Sequence, residues 1–401
     1  MGLFDRFFGP PNEAGFAKIV MAELKRVGDT RTASFDPKEF RLDCSVDGKN
    51  AGVINLRNIY AEYCRLDKAD RRKWLNSTCI GLAREPNIPS EFEDASHDLR
   101  PSVRSRSLID IIRLDTILSG GEPQEWPTVP LSEHLVVALV YDLPTTMGFV
   151  PDDKLDEWGV SLYEAMEVAQ RNLESLEYAM MGLGESLFIF ENGDAYDATR
   201  LLLKDRIRQL PVKGDPVAMP VTRECLLVTG SDDEAGLGMM ADIAKEKLDD
   251  PRPVCTIPVR LVGGDWETWM PPPGHPHHEK YRAMALQHFG GDYSTQKELL
   301  ERVHEKTGRD IFVATFSGME KDGVAFSYAT WSKNVPTLLP KTDRLALYDA
   351  DTEAMYMAEW DKVHEVVGDL MTPTEHYPPR WFVEEFPTPE QLKAMRAENV
   401  G

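Results

Sequence analysis

Residues 187–210 constrain the fold more than any other stretch of this chain. Leu187-Phe-Ile-Phe190 is an apolar run of strand length, and Asn192-Gly193 is a turn pair. Helical spacing from Asp197 then reaches Leu210 before Pro211 ends it. A buried strand followed at once by a helix puts both kinds of element in one packing unit. The chain is therefore expected to be α/β or α+β, a mixed sheet flanked by helices.

At 401 residues the chain is long for one domain, and two or three packed units are expected. Residues 1–84 read as a helix-hairpin-helix unit. Asn12 caps a helix with Phe16, Ile19, Val20, Leu24 and Val27 on one face, and Gly28 stops it. Phe40, Leu42, Cys44 and Val46 alternate in a strand that returns through Asp47-Gly48-Lys49-Asn50 into residues 53–56. Helical spacing resumes at Ile59, Tyr60, Tyr63 and Cys64, and again at Trp74, Leu75, Cys79 and Ile80.

After a linker at 84–100, residues 99–248 read as a central α/β unit. Strands are expected at 103–112, 135–141, 187–190 and 225–229, and helices from the capping box Ser161-Leu-Tyr-Glu164, from Asp197 and near Gly236. Asp249-Asp-Pro-Arg-Pro253 marks a second boundary. Beyond it, residues 254–401 read as an α+β extension rich in Trp and Pro. A hairpin is expected there at 256–269, helices at 277–289, 294–307 and 352–370, and strands at 311–316, 324–331 and 344–348.

The net charge of −22 is unevenly placed: residues 101–200 hold 6 basic and 18 acidic side chains, whereas the first hundred balance. Binding a nucleic acid needs a Lys/Arg face, so the distribution argues against it. The run Arg71-Arg72-Lys73 beside Trp74 reads as a solvated helix face. A basic partner or a small cationic ligand suits this field better. The five cysteines, Cys44, Cys64, Cys79, Cys225 and Cys255, form no CxxC pair and read as reduced, mostly buried thiols of a cytoplasmic protein. No apolar run approaches the roughly 18 residues of a membrane span. Residues 1–8 lack the long apolar region of a signal peptide; Leu3, Phe4, Phe7 and Phe8 are expected to dock on the domain itself.

The order of features resembles the YtpQ-like family of bacterial proteins, a family of unknown function. The resembling stretches are 39–63, Arg104-Ser-Arg-Ser107 in a strand, Arg171-Asn-Leu173 in a helix, and Asn192-Gly-Asp-Ala-Tyr-Asp-Ala-Thr-Arg200. They lie within residues 16–250. The resemblance implies a bacterial, cytoplasmic protein, and it supplies no reaction and no catalytic residues.

Three groups of residues are candidates for function. In 192–200 a strand end meets a helix start, so Asp194 and Asp197 could hold a cation or act as acid and base, with Tyr196 beside them and Arg200 one turn on. The same residues equally suit a helix cap and an i,i+3 ion pair. Arg104 and Arg106, spaced i,i+2, share one face of a strand and need carboxylate partners or an anionic ligand; pairing with Asp194 or Asp197 would make both clusters one buried ion network. The third group is His275, His277, His278 and Glu279, with His288, His304 and His364 further on. Imidazole and carboxylate suit zinc, but the spacing is not HExxH and a surface corner is the plainer reading. Gly236-Leu-Gly238-Met-Met-Ala241 matches GxGxxA, yet the loop 230–235 parts it from the preceding strand, unlike a dinucleotide fingerprint. No cofactor is indicated.

Two functional readings follow. One is a non-enzymatic binding or adaptor protein, with a protein partner on the C-terminal aromatic region. The other is a small-ligand-binding protein or hydrolase built on Arg104, Arg106, Asp194, Tyr196, Asp197 and Arg200, with a metal-dependent version on the His275–Glu279 corner.

Overall fold

A computed structural model describes residues 10–83, 88–122, 126–143, 147–321, 324–395 and 398–399. The apolar residues Leu3, Phe4, Phe7 and Phe8 lie outside them. The architecture is α+β: helices flank several mixed or antiparallel sheets.

The N-terminal segment follows its sequence pattern. Asn12 Oδ1 accepts the Gly15 N–H at 2.9 Å and starts α1 (Glu13–Arg26). An antiparallel sheet β1-β2-β3 comes next (Thr32–Asp36, Arg41–Val46, Lys49–Asn55), its first strand not expected from the sequence. Asn55 caps α2 (Leu56–Arg65) through the Arg57 N–H at 3.0 Å, and α3 (Arg71–Ala83) closes the unit. Phe16, Val20, Leu24, Leu42, Ile54, Leu75 and Cys79 form one core drawn wholly from this segment. Each such buried side chain contributes about 1.5–3 kcal/mol.

A short helix α4 (Phe92–Ala95) leads into β4 (Leu99–Ser105). The strand expected over 103–112 stops at Ser105: its side chain caps α5 (Arg106–Leu118), accepting the Ser107 N–H at 3.2 Å. A short apolar run does not by itself distinguish strand from helix; the cap decides it, and Arg104 and Arg106 end up on different elements. The following strands are β5 (Thr128–Pro130), β6 (Leu135–Asp142) and β7 (Met147–Phe149), with β4 and β5 on either side of β6 and β7 also bonded to β6. Helix α6 (Asp152–Trp158) precedes α7 (Leu162–Glu174), which opens on the expected capping box. From the resembling Arg171-Asn-Leu173 triplet, Asn172 Nδ2 donates to Ser96 O and Leu99 O at 2.8 and 2.9 Å, tying α7 to the start of β4.

β8 (Met181–Leu183) and β9 (Leu187–Phe190) form a hairpin. The helix expected from Asp197 to Leu210 is broken: a 3-10 turn, Ala198–Leu202, gives way at Leu203 (φ −80°, ψ 53°) to α8 (Lys204–Arg208). The polar bonds described below pin the first turn and override the helical spacing. β10 (Pro216–Thr222) and β11 (Cys225–Gly230) pair before α9 (Glu234–Glu246), and β12 (Val259–Val262) and β13 (Asp265–Thr268) extend the same antiparallel sheet in the order β13-β12-β10-β11-β9-β8. The boundary expected near residue 254 thus falls inside one sheet, and one core holds Val103, Leu135, Phe188 and Leu226 together with Val254, Ile257, Val259 and Trp266.

The two helices expected at 277–289 and 294–307 are one, α10 (His278–Thr307), running through Gly290 and Gly291. It packs on α5, bridging the central and C-terminal segments. The remainder holds two sheets, β14-β17-β21-β20 and β15-β16-β18-β19-β22. Their strands are β14 (Phe312–Val313), β15 (Ser317–Lys321), β16 (Val324–Ser332), β17 (Thr337–Pro340), β18 (Arg344–Asp349) and β19 (Ala354–Glu359), then β20 (Thr372–Pro373), β21 (Arg380–Val383) and β22 (Glu398–Asn399). Helices α11 (Trp360–Val367) and α12 (Pro389–Ala394) lie between them. The helix expected over 352–370 begins with a strand because residues 354–359 pair with β18.

Candidate functional site

Residues 192–200 form a closed brace. Arg200, 1 % exposed, pairs with Asp194 Oδ2 at 2.5 Å and with Asp197 Oδ1 at 2.9 Å. Asp197 also accepts the backbone N–H groups of Asn192 and Gly193 at 2.8 and 3.2 Å and the Asn192 side chain at 2.7 Å. Asn192 in turn bonds both backbone groups of Ala179, ahead of β8. Burial pushes the Asp197 carboxyl up; burial acts the same way on Asp194, but its bonds to Arg200 and the Tyr196 N–H hold it below the ordinary carboxylate range. Gly193 and Ala195 take left-handed φ of 71° and 68° to close the loop. The outer side of this turn lines a polar cleft of ≈ 310 Å³ with Glu191, Thr222, Glu224, Arg65 and Asp250.

The brace positions its neighbours. Thr199 Oγ1 accepts the Val103 N–H at 3.1 Å, fixing the open edge of β4, and the Ala198 N–H donates to Arg223 O at 3.2 Å, fixing the turn between β10 and β11. Arg104 on β4 and Arg223 in that turn are brought together as a result. Arg104 Nη2 and Arg223 Nη1 both reach the Met147 sulfur, at 3.1 and 3.7 Å. A thioether is a weak acceptor and balances no charge. Arg104, 6 % exposed, otherwise donates to its neighbour's carbonyl, Val103 O, at 3.0 Å and sits over the Phe149 ring at 5.8 Å. Among the described residues neither arginine has a carboxylate in ion-pair range.

The pairing register assembles the rest. Arg100, Ser102 and Arg104 alternate on one face of β4, opposite Val140, Ala138 and Val136 of β6; Asp142 and Met147, paired across β6 and β7, share that face. Tyr196 packs against Val140, its hydroxyl beside the Asp142 carboxyl. The buried Ser102 hydroxyl and the Nε atoms of Arg100 and Arg223 meet no partner in hydrogen-bond geometry among the described residues. Burial, then Arg223 nearby, pushes the Arg104 guanidinium down to about 9; burial, then Arg252, pushes Arg223 down to about 10. Burial raises Asp142. The arrangement is a buried, hydrogen-bond-donating face whose arginines outnumber its one carboxylate, Asp142, whereas the overall charge of the chain favours cations.

The candidate residues therefore divide. Asp194, Asp197 and Arg200 pair with one another, with Arg200 Nε alone left without a partner among the described residues, and Arg104 lies outside that ion network, facing Tyr196 and Arg223 instead. Arg106, one residue past the strand, turns to the other side and stacks 4.4 Å over the Tyr377 ring. There His134 bonds the Tyr377 hydroxyl, Cys255 Sγ lies 3.7 Å and Asp292 Oδ2 3.6 Å from His288 Nε2, and Ser107 bonds Asp292. The histidine corner makes backbone contacts: His277 Nε2 lies 3.0 Å from Glu234 O, His278 Nδ1 2.6 Å from Pro271 O, and His275 Nδ1 accepts the His277 N–H. No group of three or more metal-ligating side chains lies together among the described residues. Sequence reasoning missed Arg100, Ser102, Asp142 and Arg223. The alternation Arg100-x-Ser102-x-Arg104 was a readable signal; Arg223, in a tight turn, has none.

Comparison with known proteins gives relatives but no activity. UPF0354 proteins of Bacillus cereus (strain AH187), Bacillus thuringiensis subsp. konkukian (strain 97-27) and Bacillus anthracis are each 20% identical to this chain over 225 residues, 51% of this chain and 83% of the relative. No family model matches the chain, and no solved structure matches it. Over about half its length the chain is similar to the UPF0354 proteins, a likeness that fits the YtpQ-like family its own residues resemble.

Proposed function

We propose that the protein is a non-enzymatic binding protein for a small anionic ligand, held between Arg104 and Arg223. One observation carries this reading: two guanidinium groups converge on a thioether, with no carboxylate in ion-pair range among the described residues. A buried cation without a counter-charge is unfavourable, and protein scaffolds that keep one commonly use it to bind. The orphan donors Ser102 and Arg100 on the same face support it further. A protein partner on the C-terminal aromatic region draws less support, because Trp266, Trp331 and Trp360 are buried. A cytoplasmic setting is supported by five free cysteines; no helix among the described residues is long and apolar enough to cross a membrane.

Native against denaturing mass spectrometry of protein from its own host tests the reading. A small anionic adduct is expected in the wild type and lost in Arg104→Gln and Arg223→Gln. Absence of an adduct, together with melting temperatures that follow ionic strength alone whatever the anion, would overturn it.

A further inference from the structure

We propose that the anion taken by Arg104 and Arg223 is a protonated tetrahedral oxyanion, a phosphate or phosphomonoester group, selected over sulfate and carboxylates by Asp142. The inference rests on the anion-binding reading above and deepens it.

The donors come from three directions. Ser102 and Arg104 point from the β4 face, Tyr196 from the brace packed against it, and Arg223 from the β10–β11 turn. Ser102 is 0% and Tyr196 3% exposed; among the described residues the Ser102 hydroxyl meets no partner, and the Tyr196 hydroxyl has only the Asp142 carboxyl beside it. A carboxylate offers two oxygens in one plane and would leave one of these hydroxyls unmet, with the desolvation penalty that follows. A tetrahedral oxyanion offers oxygens in several directions. A halide supplies charge without directed acceptors.

Asp142 sharpens the choice. It is the one acidic residue on this face of the described strands, opposite Met147 in the register and beside the Tyr196 hydroxyl. A carboxylate next to an anion site repels a fully ionised oxyanion, because two acceptors then meet with no proton between them. Sulfate is in that condition near neutrality. Phosphate and its monoesters can keep a P–OH, which donates to Asp142 while the remaining oxygens accept from the arginines and hydroxyls. Specificity of this kind comes from a repulsive element as much as from an attractive one.

The test is titration calorimetry on the full-length chain at constant ionic strength with inorganic phosphate, glycerol 3-phosphate, sulfate and acetate. Phosphate or its monoester is expected to bind about tenfold or more tightly than sulfate, the worth of one hydrogen bond to a charged group. Asp142→Asn, whose amide can donate to sulfate, should bring the two close to equal. If that variant does not fold, the phosphate-to-sulfate ratio of the wild type decides alone. The stronger of the two phosphorus ligands identifies the source, free phosphate or a monoester. Sulfate binding as tightly as phosphate, or acetate binding where phosphate does not, overturns the ligand class and leaves the anion reading intact. Binding of none of the four overturns both.

Discussion

Arg104 and Arg200 are both buried arginines of one neighbourhood, yet their surroundings give them opposite roles. Arg200 has two carboxylates and stacks 5.2 Å from the Tyr178 ring; removing it leaves Asp197, 0 % exposed, as an uncompensated buried charge. Arg200→Ala is expected to destabilise the fold by about 3–5 kcal/mol. Arg104 has no such partner, so Arg104→Met removes a stranded cation. In buffer free of binding anions it should leave stability unchanged or raise it by roughly 0.5–2 kcal/mol, the range common when a functional group is replaced by a packing one. Urea denaturation of both variants decides the matter. Equal damage from the two substitutions would make Arg104 a brace and remove it from any site.

At the scale of elements, caps and pairings settled what periodicity left open. The Ser161–Glu164 capping box and the Asn12 cap stand where their sequence signatures put them, because a cap depends on residues within one turn of each other. The ends of β4 and the start of β19 were not legible, since their apolar runs fit strand and helix alike and a partner strand or an N-cap arbitrates. Helix α10 is a further case. Gly290-Gly291 reads as a helix break, yet the helix continues because both flanks pack on neighbouring elements. A Cβ built at either glycine meets nothing within 4 Å. Gly291→Ala should therefore raise stability by about 1 kcal/mol, visible as a higher denaturation midpoint with unchanged slope. A loss of stability would mean that the glycine pair accommodates a bend in α10.

At the scale of the whole molecule, the central and C-terminal segments meet around Arg106, His134, His288 and Tyr377, and that joint should set the pH range of stability. Burial, then His288 and Arg106, pushes His134 down from 6.5 to about 4. Burial opposes charge on His288 as well, but Cys255 and Asp292 overcome it and raise this histidine from 6.5 to about 9. His134 is thus held neutral: its contribution is complete above pH 6.5 and lost as pH falls toward 4. His288 is held charged: its contribution is complete below pH 6.5 and lost as pH rises toward 9. Glu133, Lys341 and the Tyr377 hydroxyl also face this joint. His134→Asn should flatten the acid limb of a stability-against-pH curve, and His288→Gln the alkaline limb. Limbs parallel to those of the wild type would show that other groups carry the dependence.

The sequence by itself determined the mixed class, the helices and hairpin of the N-terminal segment, many other strand and helix positions, and the brace segment as the centre of interest. All of these rest on interactions between residues close in the chain: alternation, helical period, caps and turns. Only the tertiary structure decided which charges meet. Arg104 looked like a partner of Arg106 and of the brace carboxylates. A cap at the last residue of the strand, Ser105, sent Arg106 to the opposite side, while the fold carried Arg223, 119 positions away in the sequence, to the same sulfur atom. Electrostatic function depends on distance in space and on burial, and neither is written in the spacing of residues along a chain.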